Sequence, residues 1–143
     1  MITVSEVMSA QVITLKASES VSAARELMRT ENIRHIPIVN EHLSPVGLVT
    51  QRDVLKAQGS DLGGESLQAI DENNVPVEQI MSTKVAFVHP NDPLRSAGLK
   101  IQKNKYGCLP VIENNQLVGI ITDSDFVGVA IDLIEQMEYS EDF

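Results

Sequence analysis

Val46-Gly47-Leu48-Val49-Thr50-Gln51-Arg52-Asp53-Val54 and, 72 residues later, Val118-Gly119-Ile120-Ile121-Thr122-Asp123-Ser124-Asp125-Phe126 are one pattern written twice. In each copy an apolar run reads as a short buried strand that a threonine breaks into a helix, with a carboxylate three residues after the hydroxyl. The repeat continues outward from these stretches. At a shift of 73, Met8-Ser9 matches Met81-Ser82, Val12 matches Val85, Val21 matches Leu94, Ala24 matches Ala97, Met28 matches Ile101 and Pro37 matches Pro110. A period this long exceeds that of solenoid repeats, and two copies are too few for an array. The chain is read as a duplicated half-domain that pairs with itself.

The 143 residues suffice to bury a core without staples. A single cysteine, Cys108, excludes an internal disulfide and any multi-cysteine metal site, which fits a reducing compartment. No apolar run approaches the roughly 18 residues of a membrane span, and the N-terminus lacks a basic region followed by a hydrophobic stretch. The expectation is a soluble cytoplasmic protein with no membrane partner. A net charge of -9 argues against wrapping duplex nucleic acid, whose affinity rests on clustered Lys and Arg. A small anion needs only two or three local cations and stays open. With no Trp, two Tyr and three Phe, the core must be aliphatic, and there is little material for a base-stacking platform.

In chain order, residues 1–10 read as a lead-in with a helical turn through Val7 and Met8. A strand is expected over 11–15. Ser18 or Ser20 can cap a helix to about Thr30, with Val21, Ala24, Leu27 and Met28 on one face. Arg34 to Val39 reads as a strand whose Pro37 points to a strand start or an edge, because proline cannot donate to a ladder. A turn over 40–45, a return strand over 46–50 and a closing helix to about Gln58 complete the copy. Residues 59–76 read as a linker, with a helical turn around Leu67 to Ile70. In the second copy Asp92 is expected to cap a helix with Pro93 at its first position, running to about Asn104. Strands over 109–112 and 117–122 follow, then a helix from Asp123 to about Met137. The expected organisation is a first repeat over 5–58, the linker, a second repeat over 77–137 and an acidic tail over 138–143, short enough to fray.

Two β-α-β-β-α units, each with a hydrophobic-Pro-hydrophobic strand, a hairpin, and Gly-hydrophobic-hydrophobic-Thr-x-x-Asp opening a helix, resemble the CBS domain pair, or Bateman module, of the stand-alone two-repeat bacterial type. The residues that carry the resemblance are Ile33 to Pro37 with Gly47 to Asp53, and Tyr106 to Pro110 with Gly119 to Asp125. The resemblance implies an α/β fold of two halves related by a pseudo-twofold axis, packed through their sheets with two equivalent clefts between them. It also implies adenine nucleotides or related adenosyl compounds as ligands, disc-like dimers in many members, and no catalysis.

Thr50 with Asp53, like Thr122 with Asp125, fits a plain capping box, in which the hydroxyl caps the helix and the acid reaches back to the cap's amide. A second use is open to the acid. An Asp at a helix start beside a cleft can accept hydrogen bonds from both hydroxyls of a ribose, while the helix N-terminus favours phosphate. The resemblance assigns that ribose role to Asp53 and Asp125. It combines the first strand and proline strand of one copy with the Thr-x-x-Asp of the other. One cleft then takes Val12, Ile13, Arg34, His35 and Pro37 with Thr122 and Asp125. The other takes Val85, Ala86, Gly107, Cys108 and Pro110 with Thr50, Arg52 and Asp53. Each holds a cation for a phosphate, although Arg34 and Arg52 also read as surface charges in modest ion pairs.

His35 has no second ligand at metal spacing, so a packing or phosphate-facing role is expected. Asp123-Ser124-Asp125 reads as dipole partners of a helix start before it reads as a magnesium site. Cys108 reads as a small wall residue, with no base near it in sequence to make it a nucleophile. No catalytic residue, metal site or cofactor is therefore expected. The functional expectation is a regulatory module binding AMP, ADP or ATP, working as a homodimer on a regulated protein that the sequence does not name. Alternatives are a binder of another adenosyl ligand such as S-adenosylmethionine, or an assembly module with vestigial clefts. An enzyme built on the two aspartates is disfavoured because they sit in separate copies with no triad or metal set.

Overall fold

Local chemistry sets the elements in both copies alike. The Ser20 hydroxyl accepts from the Ala23 N–H at 3.0 Å and starts α1 (Val21–Glu31), which ends where Asn32 turns left-handed. Then come β1 (His35–Val39), β2 (Pro45–Thr50) and α2 (Gln51–Ala57), and the order repeats as α3 (Leu94–Asn104), β3 (Cys108–Glu113), β4 (Gln116–Thr122) and α4 (Asp123–Glu141). This computed structural model describes residues 1–58 and 73–141. The helical turn expected around Leu67 to Ile70 lies outside them. β1 and β2 form one antiparallel pair, and β3 with β4 the other. The second hairpin turns through Asn114 and Asn115, both at positive φ, which asparagine tolerates.

The chain forms two compact units, one of Val12–Ala86 with Asn114–Leu117, the other of Met1–Gln11, Phe87–Glu113 and Val118–Phe143. Neither coincides with a sequence repeat, because each takes its lead-in from the other copy. In the first unit, Val77 N–H donates to the Glu19 carbonyl at 2.7 Å, Glu78 N–H to Ala17 at 3.2 Å, and Val21 N–H to Val75 at 2.8 Å. In the other, Val4 donates to Asp92 at 2.9 Å, Ser5 to Pro90 at 2.9 Å, and Leu94 to Ile2 at 2.8 Å. These are the same three bonds displaced by the repeat shift. Val4 and Val77 are fully buried and fasten each lead-in to its core.

The duplicated Met-Ser and Gly find their reason at the next contact along. Ser82 exchanges both backbone hydrogen bonds with Leu48, and Ser9 does the same with Ile120. A Cβ on Gly47 would lie 2.5 Å from the Met81 sulfur and 3.1 Å from the Ser82 carbonyl, and one on Gly119 would lie 2.5 Å from the Met8 sulfur and 3.0 Å from the Ser9 carbonyl. Only glycine admits the lead-in this close. The first unit's core packs Leu15, Val21, Ala24, Met28, Ile36, Ile38, Val49, Val54, Ala57 and Val77. Val4, Val88, Leu94, Ala97, Leu109, Val111 and Ile121 are the corresponding buried residues of the other unit.

Three expectations need correction. The strand over 11–15 reduces to one parallel bridge, Leu15 with Ile38. Pro37 explains this: it stands third in β1, an edge strand of a two-stranded sheet, as one of its two expected places allows. Its partner Leu48 turns both backbone groups to Ser82, so Pro37 faces the Leu15 side, accepts from the Leu15 N–H at 3.2 Å, and has no N–H with which to extend that ladder. Asp92 does not cap α3. The extended residue Pro93 is the cap, while the Asp92 carboxylate accepts from the His89 N–H at 2.9 Å. Finally, α4 runs on to Glu141, so residues 138–141 continue the helix where fraying was expected.

Candidate functional site

The two Thr-x-x-Asp motifs are formed capping boxes at the ends of β2 and β4. The Thr50 N–H donates to Asp53 Oδ2 at 2.8 Å, the Thr50 hydroxyl donates to the same oxygen at 3.0 Å, and the Asp53 N–H donates back to Thr50 Oγ1 at 3.2 Å. At the second box the Thr122 N–H donates to Asp125 Oδ2 at 2.8 Å and the Asp125 N–H to Thr122 Oγ1 at 3.3 Å. Both boxes spend one carboxylate oxygen. Among the described residues no group donates to Oδ1 of Asp53 or of Asp125, and both side chains are half-buried. A carboxylate oxygen of this kind has two acceptor sites in hand, at the positive end of a helix.

A backbone clamp joins each box to the residue just ahead of the proline strand. The Gln51 N–H donates to the Arg34 carbonyl at 2.9 Å, and the Asp123 N–H to the Gly107 carbonyl at 3.1 Å. His35 lies directly across the ladder from Thr50. The first unit thus gathers Arg34, His35, Thr50, Arg52 and Asp53, and the other gathers Gly107, Cys108, Thr122 and Asp125. The clamp left no sequence signal, since any residue supplies a carbonyl. The crosswise sets that the resemblance implies each combine residues of both units.

The remaining candidates divide by exposure. Arg34 and Arg52 are exposed, and Arg52 opens α2 beside Asp53. Val12, Ile13, Val85 and Ala86 are half-buried on the short segments ahead of Leu15 and Val88. Pro37 and Pro110 are fully buried, so their side chains serve the core. Cys108 is also a core residue, 4% exposed; burial pushes its thiol up to about 12, and the Asp123 carboxylate acts in the same direction. Such a thiol is not an activated nucleophile. Among the described residues no group of three or more His, Cys, Asp or Glu is placed to hold a metal ion, and no helix is long and apolar enough to cross a membrane.

Comparison with known proteins agrees with the geometry. The CBS domain family model matches residues 4–60 and 77–132. The structure of AcuB from Vibrio cholerae, a protein assigned to acetoin utilization, is 41% identical, covers 97% of either chain and superposes with a TM-score of 0.83. The CBS domain pair of protein MJ0100, solved in complex with 5'-methylthioadenosine and S-adenosyl-L-methionine, is 28% identical with a TM-score of 0.75, covering 90% of this chain and 95% of that one. CBS domain-containing protein YhcV of Bacillus subtilis is 30% identical over 128 residues, which is 87% of this chain and 83% of YhcV. The chain spans only 22% to 41% of the length of the first four curated relatives it matches.

Proposed function

Because the chain belongs to the CBS domain family, we propose that it is a non-enzymatic regulatory module that senses an adenosyl ligand, with Asp53 and Asp125 receiving the ribose. One observation carries this reading. Each aspartate completes its capping box with Oδ2 alone and keeps Oδ1 available, so capping and ligand binding do not compete for the same atom. The ligand complex of the MJ0100 pair supports the adenosyl class.

Within that class we favour AMP, then ADP or ATP, because Arg52 and Arg34 are exposed cations beside the ribose acids in a chain of net charge -9. The Arg52 guanidinium can grip a phosphate with two hydrogen bonds. S-adenosylmethionine is the second reading, favoured by the MJ0100 complex and by the acidic surroundings, which suit its sulfonium. The module works as a homodimer and passes its state to a regulated protein.

Thermal-shift titration with AMP, ADP, ATP, adenosine and S-adenosylmethionine tests the class. A ligand at 100 times its dissociation constant stabilises the folded state by about 2.7 kcal/mol. Arg52→Ala then separates the ligands: it should weaken AMP by about tenfold or more and leave adenosine nearly unchanged. Equal losses for both would assign Arg52 to support of the helix. No stabilisation by any of the five would favour an assembly module with vestigial clefts.

A further inference from the structure

The two helices that flank the second hairpin sort their charges by sign. From Leu94 to Tyr106, a stretch that contains α3, the sequence has Arg95, Lys100, Lys103 and Lys105, all exposed, and no acid. From Asp123 to Glu141, the span of α4, it has acids at 123, 125, 132, 135, 138 and 141 and no Lys, Arg or His. The matching helices of the first repeat mix the signs: α1 holds Arg25 and Arg29 with Glu26 and Glu31, and α2 holds Arg52 and Lys56 with Asp53. α3 and α4 belong to one compact unit and touch at Gly98, where a Cβ would stand 3.0 Å from the Phe126 ring.

The residues that follow this contacting pair leave apolar surface uncovered. Leu99 on α3 is 46% exposed, and Val127, Ile131 and Ile134 on α4 are 58%, 50% and 52% exposed. Residues three and four apart are neighbours on a helix, so the three α4 side chains form one stripe. Charges border both patches. Arg95 and Lys103 each lie four residues from Leu99, and Glu135 and Glu138 lie four residues beyond Ile131 and Ile134. An apolar patch with a charged rim marks an interaction site, and here the rim is basic on one helix and acidic on the next.

Such a surface is complementary to itself, and a twofold contact between copies can use it in two ways. Like on like would set acidic α4 against acidic α4 and basic α3 against basic α3, about 8–10 Å apart, which is about one Debye length at physiological salt. The crossed arrangement sets each basic helix on the acidic helix of the other copy, so both contacts join opposite signs and the apolar residues between them are covered together. We propose that the second-repeat helices form a crossed self-interface, in which α3 of each protomer covers α4 of its partner. The proposal rests on the homodimer reading and specifies which surfaces meet.

Charge reversal in the full chain separates the two arrangements, with the dimer Kd taken from sedimentation over a concentration series. Arg95→Glu with Lys103→Glu, and separately Glu135→Lys with Glu138→Lys, should each raise the dimer Kd by at least about tenfold. All four substitutions in one chain should bring it back to within about threefold of wild type. Like-on-like pairing gives a different pattern: neither reversal weakens the dimer, and Glu135→Lys with Glu138→Lys tightens it. The milder Arg95→Gln with Lys103→Gln should weaken the dimer several-fold, and the wild-type dimer should loosen several-fold between about 50 and 500 mM salt. Glu, Lys and Gln are all good helix formers, and a dimer regained by the fourfold variant cannot come from misfolding. A monomeric wild type refutes the homodimer reading and this proposal with it. A wild-type dimer that is indifferent to the reversals, that tightens with salt, or that stays apart in the fourfold variant refutes the crossed pairing alone.

Discussion

The two oxygens of Asp53 can be tested apart, because the capping box uses one and the proposed ribose contact uses the other. Asp53→Ala removes both. Losing the bonds from the Thr50 N–H and hydroxyl, at 2.8 and 3.0 Å, should cost about 0.5–2 kcal/mol of stability. Losing charge-assisted bonds to a ribose should cost about 1.5–3 kcal/mol of binding, a factor of about 10 to 150 in Kd. Asp53→Asn keeps an oxygen for the Thr50 N–H but turns an uncharged NH2 donor toward the ligand. Stability should then stay within about 0.5 kcal/mol of wild type while binding falls by about tenfold. Thr50→Ala does the reverse: it loses the hydroxyl that the Asp53 N–H reaches at 3.2 Å and leaves the carboxylate, so stability falls by about 1 kcal/mol and affinity holds within about threefold. Calorimetric titration and urea unfolding of the three variants, made in an Asp125→Asn background so that one carboxylate is read, give both quantities. If Asp53→Asn bound like its parent, or if the binding losses simply tracked the stability losses, the aspartate would be a cap and nothing more.

Gly47→Ala should destabilise by about 1–3 kcal/mol, because the new methyl meets the Met81 sulfur and the Ser82 carbonyl; adding Met81→Ala should relieve only the first of these clashes, and urea midpoints of the single and double variants read the difference. The Cys108 thiol should resist Ellman's reagent in the native protein at about pH 8 while reacting freely in urea. Its native pKa, raised to about 12, lies above the unfolded value, so its contribution is complete below about pH 9 and is lost as pH rises through about 12. Alkaline destabilisation in that window should therefore be smaller in Cys108→Ala. Light scattering at tens of micromolar should give a dimer, and Val127→Ser with Ile131→Ser, at residues 58% and 50% exposed, should shift it toward monomer.

What the sequence discloses about this fold is what neighbouring residues decide among themselves. Ser20, Thr50 with Asp53, and Thr122 with Asp125 cap the helices they were expected to cap, because each box closes within three residues. Where the deciding partner lies far along the chain, sequence reading fails for a physical reason. Asp92 looks like a cap until the Val4 N–H, some 90 residues away in sequence, takes its carbonyl and the Leu94 N–H goes to Ile2. The strand over 11–15 looks complete until Pro37, placed third in β1, withholds the donor that would extend it. The repeated Met-Ser dipeptide was visible, but its purpose was not, since it packs against the glycine of the opposite copy. That exchange has a consequence for the site. The hairpin carrying Thr50 and Asp53 is bonded on its outer side to Ser82 of the second copy, and the one carrying Thr122 and Asp125 to Ser9 of the first. Each capping box therefore stands on a strand held in place by the other repeat, and neither copy alone supplies both the motif and the segment that fixes it. The duplication is thus a structural requirement of the candidate site as well as the source of its two aspartates.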